Sequence, residues 1–160
     1  IQVPYNILRR DPERELFPMA KDEDIAVTAW GLVGGGVLTG KYKDKSSEKR
    51  YEQASEEALQ TADKIVEISI EIGKSPAQVA INWVRQQQEL AQIIPIIGAR
   101  SVKQLEDNLG VLDFDLSPSQ IEQISGITDF QAGFPWDFLH EPYVLELVHG
   151  KTYPDLDIHR

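Results

Sequence analysis

Three short apolar runs punctuate the chain, at residues 2–7, 25–29 and 93–97. None alternates cleanly between apolar and polar positions, which is the pattern of parallel strands buried on both faces. Elsewhere the apolar residues recur at helical spacing. Ala62, Ile65, Ile68, Ser69 and Ile72 make one stripe, and Val79, Ala80, Trp83 and Val84 a second. Leu105, Leu109 and Leu112 make a third, and Ile121, Ile124 and Ile127 a fourth. Each stripe is expected to pack on a sheet or a neighbouring helix.

Helix starts are marked by local chemistry. Ser75-Pro76-Ala77-Gln78 and Ser117-Pro118-Ser119-Gln120 each place a capping serine, a proline and a glutamine three positions on. That is a capping box with proline at the first helical position. Ser101-Val102-Lys103-Gln104 is a third box without proline, and Asp11-Pro12-Glu13 offers a capping carboxylate. The elements read strand, helix, strand, long loop with helices, strand, helices. Such a βαβαβα series favours a parallel sheet in an α/β fold.

Three parallel strands leave two apolar edges open, a poor independent domain. The chain also opens in mid-element, so the expectation is one partial domain over residues 1–160, part of something longer. Residues 129–160 form its irregular, aromatic tail, with Phe130, Phe134, Trp136, Phe138, Tyr143 and Tyr153. Residues 42–51 are polar and read as a flap over a site.

Composition narrows the partners. The 160 residues are 41% hydrophobic and 26% charged, as in an ordinary globular domain. The net charge of −10 disfavours nucleic acid and anionic membrane surfaces. There is no cysteine, hence no disulfide framework or thiolate metal site. No apolar run approaches the roughly 20 residues that span a bilayer, and no signal peptide is visible. A cytoplasmic location is expected. His140, His149 and His159 lie near Asp155 and Asp157 without the spacing of a metal site, so no metal is assigned.

The candidate chemistry sits after the second run. Residues 28–42 leave the strand with Trp30 and enter a loop dense in glycine: Gly31, Gly34, Gly35, Gly36 and Gly40. In α/β sheets, ligands bind at the carboxyl ends of strands. Glycines let backbone amides approach an anionic group closely. The loop therefore suits a phosphate-bearing cofactor, with Trp30 able to stack on part of it. Taken alone, Trp30 also fits an ordinary packed aromatic, the glycine run a flexible loop, Arg100 a surface charge, and Gln104 a capping-box residue.

Three segments in order carry a resemblance: residues 2–10, residues 28–42 ending in Leu38-Thr39-Gly40-Lys41-Tyr42, and Ile94-Pro95-Ile96-Ile97-Gly98-Ala99-Arg100-Ser101 through Asn108. Together they resemble the sixth, seventh and eighth strand regions of the aldo-keto reductases. The resemblance implies the C-terminal part of a TIM-type (β/α)8 barrel, three parallel strands with flanking helices. It also implies NADPH as cofactor and a small aldehyde or ketone as the parent's substrate. Gln2 would bind the nicotinamide carboxamide, and Trp30 would stack on the ring. Gly31, Leu32, Val33, Gly34 and Gly35 would wrap the pyrophosphate, with Lys41 and Arg50 closing over it. Gly98 and Arg100 would meet the adenosine 2′-phosphate. Gln104, Asp107 and Asn108, spaced for one helix face, would face adenine and ribose.

This sequence departs from the family pattern in two places. Gly31-Leu32-Val33 stands where Ser-Pro-Leu is common, which removes a hydroxyl contact. Asp107 stands where glutamate is usual, which shortens the reach. The family's aspartate, tyrosine, lysine and histidine come from its first four strands, so no catalytic residue is assigned and the chain alone is expected not to reduce carbonyls. It would need a missing N-terminal half-barrel. The alternative is a nucleotide-binding module without chemistry, completed by self-association.

Overall fold

A computed structural model provides the fold and describes residues 1–43 and 53–155. The chain divides into two compact units, residues 1–129 and residues from 130 onward. In the first, strands β1 (Gln2–Pro4), β2 (Val27–Trp30) and β3 (Ile93–Pro95) form one parallel sheet in the order β1-β2-β3. Gln2 pairs with Thr28 and Thr28 with Ile94, while Val3 pairs with Ala29 and Ala29 with Pro95.

Each strand is shorter than its apolar run. Beyond Tyr5 the backbone turns, and Asn6 bridges to Arg9 while its side-chain Oδ1 accepts from the Leu8 amide at 2.8 Å. Ile25 gives its amide to Ala20 at the end of the preceding helix, so the second strand starts later than predicted. Burial on both faces is also not what the described residues show. Val3, Val27, Ala29 and Ile93 are buried, whereas Gln2, Trp30 and Ile94 on the alternate positions are exposed. The helices cover one face of the sheet.

Helices α1 (Leu16–Asp22), α2 (Glu56–Ile72), α3 (Pro76–Arg85), α4 (Val102–Leu109) and α5 (Pro118–Ser125) complete this unit. The boxes at Ser75 and Ser117 both form, serine accepting from the glutamine amide and glutamine accepting from the serine amide. At Ser101 only half of the box forms. Ser101 accepts from the Gln104 amide, but Gln104 Oε1 takes the amide of Arg100 instead. Asp11 is not a cap. It begins a short 3-10 turn, Asp11–Glu13, and pairs with Arg14 at 2.9 Å.

Ile65, Ile68 and Ile72 of α2 and the α3 stripe enter one core with Val3, Val27, Ala29 and Ile93, while Ala62 packs in a smaller cluster with Val37 and Tyr42. Ile124 joins it fully, with Ile121 and Ile127 partly buried beside it. The third stripe does the opposite. Leu105, Leu109 and Leu112 are exposed, as is Val102, and α4 buries Asn108 instead. Its spacing was helical, but the core lies toward the polar side of that helix.

The second unit, read from sequence as irregular, holds short helices α6 (Trp136–Leu139) and α7 (Pro142–His149). Phe134, Phe138 and Tyr143 make successive ring contacts there. No helix among the described residues is long and apolar enough to cross a membrane.

Candidate functional site

β2 delivers Trp30 to its carboxyl end, and the chain turns at once into the glycine loop. Two anchors fix this turn. The buried Asn6 donates through Nδ2 to the Gly31 carbonyl at 2.8 Å, and Leu32 and Leu38 insert into the core. The loop then makes tight turns over Gly34–Thr39, kinked at Gly35 and Gly36, and Gly34, Gly35 and Gly36 all have positive φ. Three consecutive left-handed residues carry little strain only as glycine. At Gly36 a Cβ would also lie 2.3 Å from Lys41 Cε, so the lysine stem crosses the loop where a side chain would block it. The Thr39 hydroxyl closes the coil on the Gly36 carbonyl at 2.7 Å.

β3 delivers the second wall. Ile96 continues its pairing by donating to Ala29 at 2.7 Å, and the chain then loops through Gly98 and Arg100 into α4. The polar residues of α4 hold this loop. Asn108 Nδ2 donates to the Gly98 carbonyl at 3.3 Å, and Gln104 Oε1 accepts from the Arg100 amide at 2.8 Å. The third wall is the start of α3. The Ser75 hydroxyl donates to Asp107 Oδ2 at 2.7 Å.

Together these walls enclose a cavity of about 760 Å³, within the usual range for small-molecule and cofactor sites. Trp30, Gly31, Leu32, Val33, Gly35, Lys41, Gly98, Arg100, Gln104, Asp107 and Asn108 all line it. Of the other residues singled out in the sequence, Gly34 is not on the wall, and its missing Cβ would face Leu8 and Leu38. Gln2 is an exposed residue at the start of β1, also off the wall. Arg50 and most of the polar segment 42–51 lie outside the described residues. Trp30 is 43% exposed, open enough for a flat ligand to reach its ring.

Sequence reasoning missed Gly36, Thr39 and the Ser75–Ala77 turn as wall residues. The capping box located that turn in the chain, but not beside α4. No group of His, Cys, Asp and Glu among the described residues could hold a metal ion. Neither Tyr5 nor Tyr42 lines the cavity.

The model of the aldo/keto reductase family matches residues 1–129, which are the residues of the first unit. The chain belongs to the aldo/keto reductase family. It is 33% identical over 153 residues to a protein of Saccharomyces cerevisiae named probable aryl-alcohol dehydrogenase, covering 86% of this chain and 44% of that one. It is 30% identical over 161 residues to an NADP(+) aryl-alcohol dehydrogenase of Phanerodontia chrysosporium, covering 91% and 40%. The chain thus spans less than half the length of these two reductase relatives. Its fold matches that of a glycerol dehydrogenase from Gluconobacter oxydans with a TM-score of 0.67 at 23% identity, over 84% of this chain and 45% of the other. The three strands and their helices therefore have the α/β architecture of an aldo-keto reductase.

Proposed function

We propose that this chain is the cofactor-binding, carboxyl-terminal part of an aldo-keto reductase barrel, and that it binds NADPH. The observation that carries this reading is the convergence, in one cavity, of a stackable indole, a glycine loop and two cations from separate strand ends. Trp30 would hold the nicotinamide ring, and the backbone of Gly31, Leu32, Val33 and Gly35, with Lys41, the pyrophosphate, whereas the Gly34 amide is taken by the Gly31 carbonyl at 2.8 Å. Arg100 and Gly98 would hold the 2′-phosphate, and Gln104, Asp107 and Asn108 the adenosine. A guanidinium recognises phosphate through paired, charge-assisted hydrogen bonds, which favours NADPH over NADH. The start of α4 beside Arg100 adds partial positive charge. The name of the Phanerodontia relative supports the same cofactor.

NADPH, when bound, supplies the hydride for reduction of an aldehyde or ketone by the parent enzyme. This chain's residues supply position and electrostatics. Carbonyl reduction also requires a proton donor at the substrate oxygen, and the cavity wall among the described residues contains no tyrosine or histidine. The chain by itself is therefore read as a binder without turnover.

Calorimetric titration with NADPH and NADH tests the reading. Tight NADPH and weak NADH binding is the expected result, and equal affinities remove Arg100 from the account. Reduction of an aryl aldehyde by a preparation containing only these 160 residues would overturn the claim of incompetence.

A second reading, a nucleotide-binding module completed by a second copy of itself, is favoured by the exposed row Val102, Leu105, Leu109 and Leu112 and by the uncovered sheet face at Trp30 and Ile94. A folded species that stays strictly monomeric in sedimentation would reject it.

A further inference from the structure

Asn6, two residues past β1, is 6% exposed and does not line the cavity. Both ends of its side-chain amide are committed. Oδ1 accepts from the Leu8 amide at 2.8 Å, which leaves Nδ2 to donate to the Gly31 carbonyl at 2.8 Å. The Asn6 backbone is pinned as well, exchanging two hydrogen bonds with Arg9 at 3.2 and 2.9 Å. The Gly31 oxygen is thereby held toward a buried side chain behind the cavity wall.

A trans peptide points its C=O and the following N–H in opposite directions. Holding the Gly31 oxygen toward Asn6 therefore turns the Leu32 amide the other way, toward the cavity that Gly31, Leu32 and Val33 line. Leu32 packs into the core and is 3% exposed, so backbone is what this residue offers there. The polar groups of the turn are unequally satisfied. The Gly31 carbonyl accepts a second bond, from the Gly34 amide at 2.8 Å, and the Val33 carbonyl accepts two, from the Gly36 amide at 2.9 Å and the Leu38 amide at 3.3 Å. The amides of Leu32 and Val33 have no acceptor among the described residues. Neither has the Lys41 ammonium on the same wall. Successive unpaired N–H groups beside a cation select an anion. We propose that Asn6 is a positioning residue: by holding the Gly31–Leu32 peptide, it presents the Leu32 and Val33 amides to the pyrophosphate of the bound dinucleotide. This proposal rests on the cofactor reading above, and it adds a residue outside the cavity on which the donor face depends.

The test follows the backbone amide resonances of the full chain by NMR during titration with NADPH and with adenosine 2′-monophosphate, which lacks the pyrophosphate. In wild type, NADPH is expected to move the Leu32 and Val33 amide protons downfield, and the monophosphate to leave them in place. Asn6→Asp keeps an acceptor for Leu8 but sets a carboxylate oxygen against the Gly31 carbonyl, so the peptide is expected to turn. NADPH affinity should fall about tenfold, the scale of one hydrogen bond to a charged acceptor, and monophosphate affinity less than about threefold. Asn6→Ala removes the donor without adding a charge and takes the place of an aspartate variant that fails to fold, with an expected NADPH loss of about threefold. An equal loss for both ligands assigns Asn6 to the fold alone and overturns the proposal, as does wild-type NADPH affinity in the variant. A wild type that binds NADPH without moving the two amides overturns it too and leaves the cofactor reading standing. A wild type that does not bind NADPH overturns that reading and this proposal with it.

Discussion

The Tyr5 hydroxyl donates to Glu13 Oε1 at 2.7 Å from a ring with no solvent exposure. Arg10 completes the group. It pairs with both oxygens of Glu13, at 2.7 and 2.9 Å, donates to the Ser125 carbonyl at 3.0 Å and lies over the Trp83 ring. Trp83 in turn donates to the Ser125 hydroxyl at 3.0 Å. This network joins the end of β1 to α3 and α5, behind the sheet face that the helices cover.

Burial, with the neighbouring Glu13 carboxylate adding to it, raises the Tyr5 phenol far above its ordinary value near 10. The folded state keeps the proton at pH values where the unfolded chain releases it. Stability from this group is complete below about pH 10 and falls as pH rises beyond it, by about 1.4 kcal/mol per unit. Urea unfolding between pH 8 and 11 should show this fall in wild type and a smaller one in Tyr5→Phe. At neutral pH, Tyr5→Phe should cost about 1–2 kcal/mol for the lost bond to a charged acceptor.

Arg100→Ala should reduce NADPH affinity roughly tenfold and leave NADH affinity nearly unchanged, because only NADPH carries the phosphate that a guanidinium would bind. Parallel calorimetric titrations read the ratio directly. An equal loss for both dinucleotides would place Arg100 elsewhere on the ligand.

Trp30→Ala should weaken dinucleotide binding by about 1 kcal/mol, the scale of one aromatic stacking contact. It should barely change the unfolding midpoint, since the ring is half-exposed at the end of its strand. In wild type, bound NADPH should quench part of the tryptophan emission, and that part should vanish in the variant. Unchanged quenching would assign the signal to Trp83 or Trp136 instead.

Leu109→Lys sits on the exposed row of α4 and should change monomer stability by no more than about 0.5 kcal/mol. If copies of the chain associate through that row, the substitution should shift the sedimentation distribution toward monomer. Association that survives it points to the uncovered sheet face at Ile94.

What the sequence determined by itself is local. Ser75 and Ser117 were legible as caps because a capping box needs only residues within one turn. The α2 and α3 stripes were legible because a buried face imposes a period of 3.6 on one segment. The glycine loop was legible because few other residues tolerate three successive positive φ angles. Tertiary structure decided everything that depends on a second segment. The Leu105, Leu109 and Leu112 stripe has the same period as the others, yet it faces outward, because periodicity defines a face without saying where the core lies. Gln104 looked like the partner of the Ser101 amide, and the path of the Gly98–Arg100 loop gave it the Arg100 amide instead. The pairing of Ser75 with Asp107 had no sequence signal at all. A hydrogen bond across 32 residues exists only once α3 and α4 have packed, and that packing is set by the whole core.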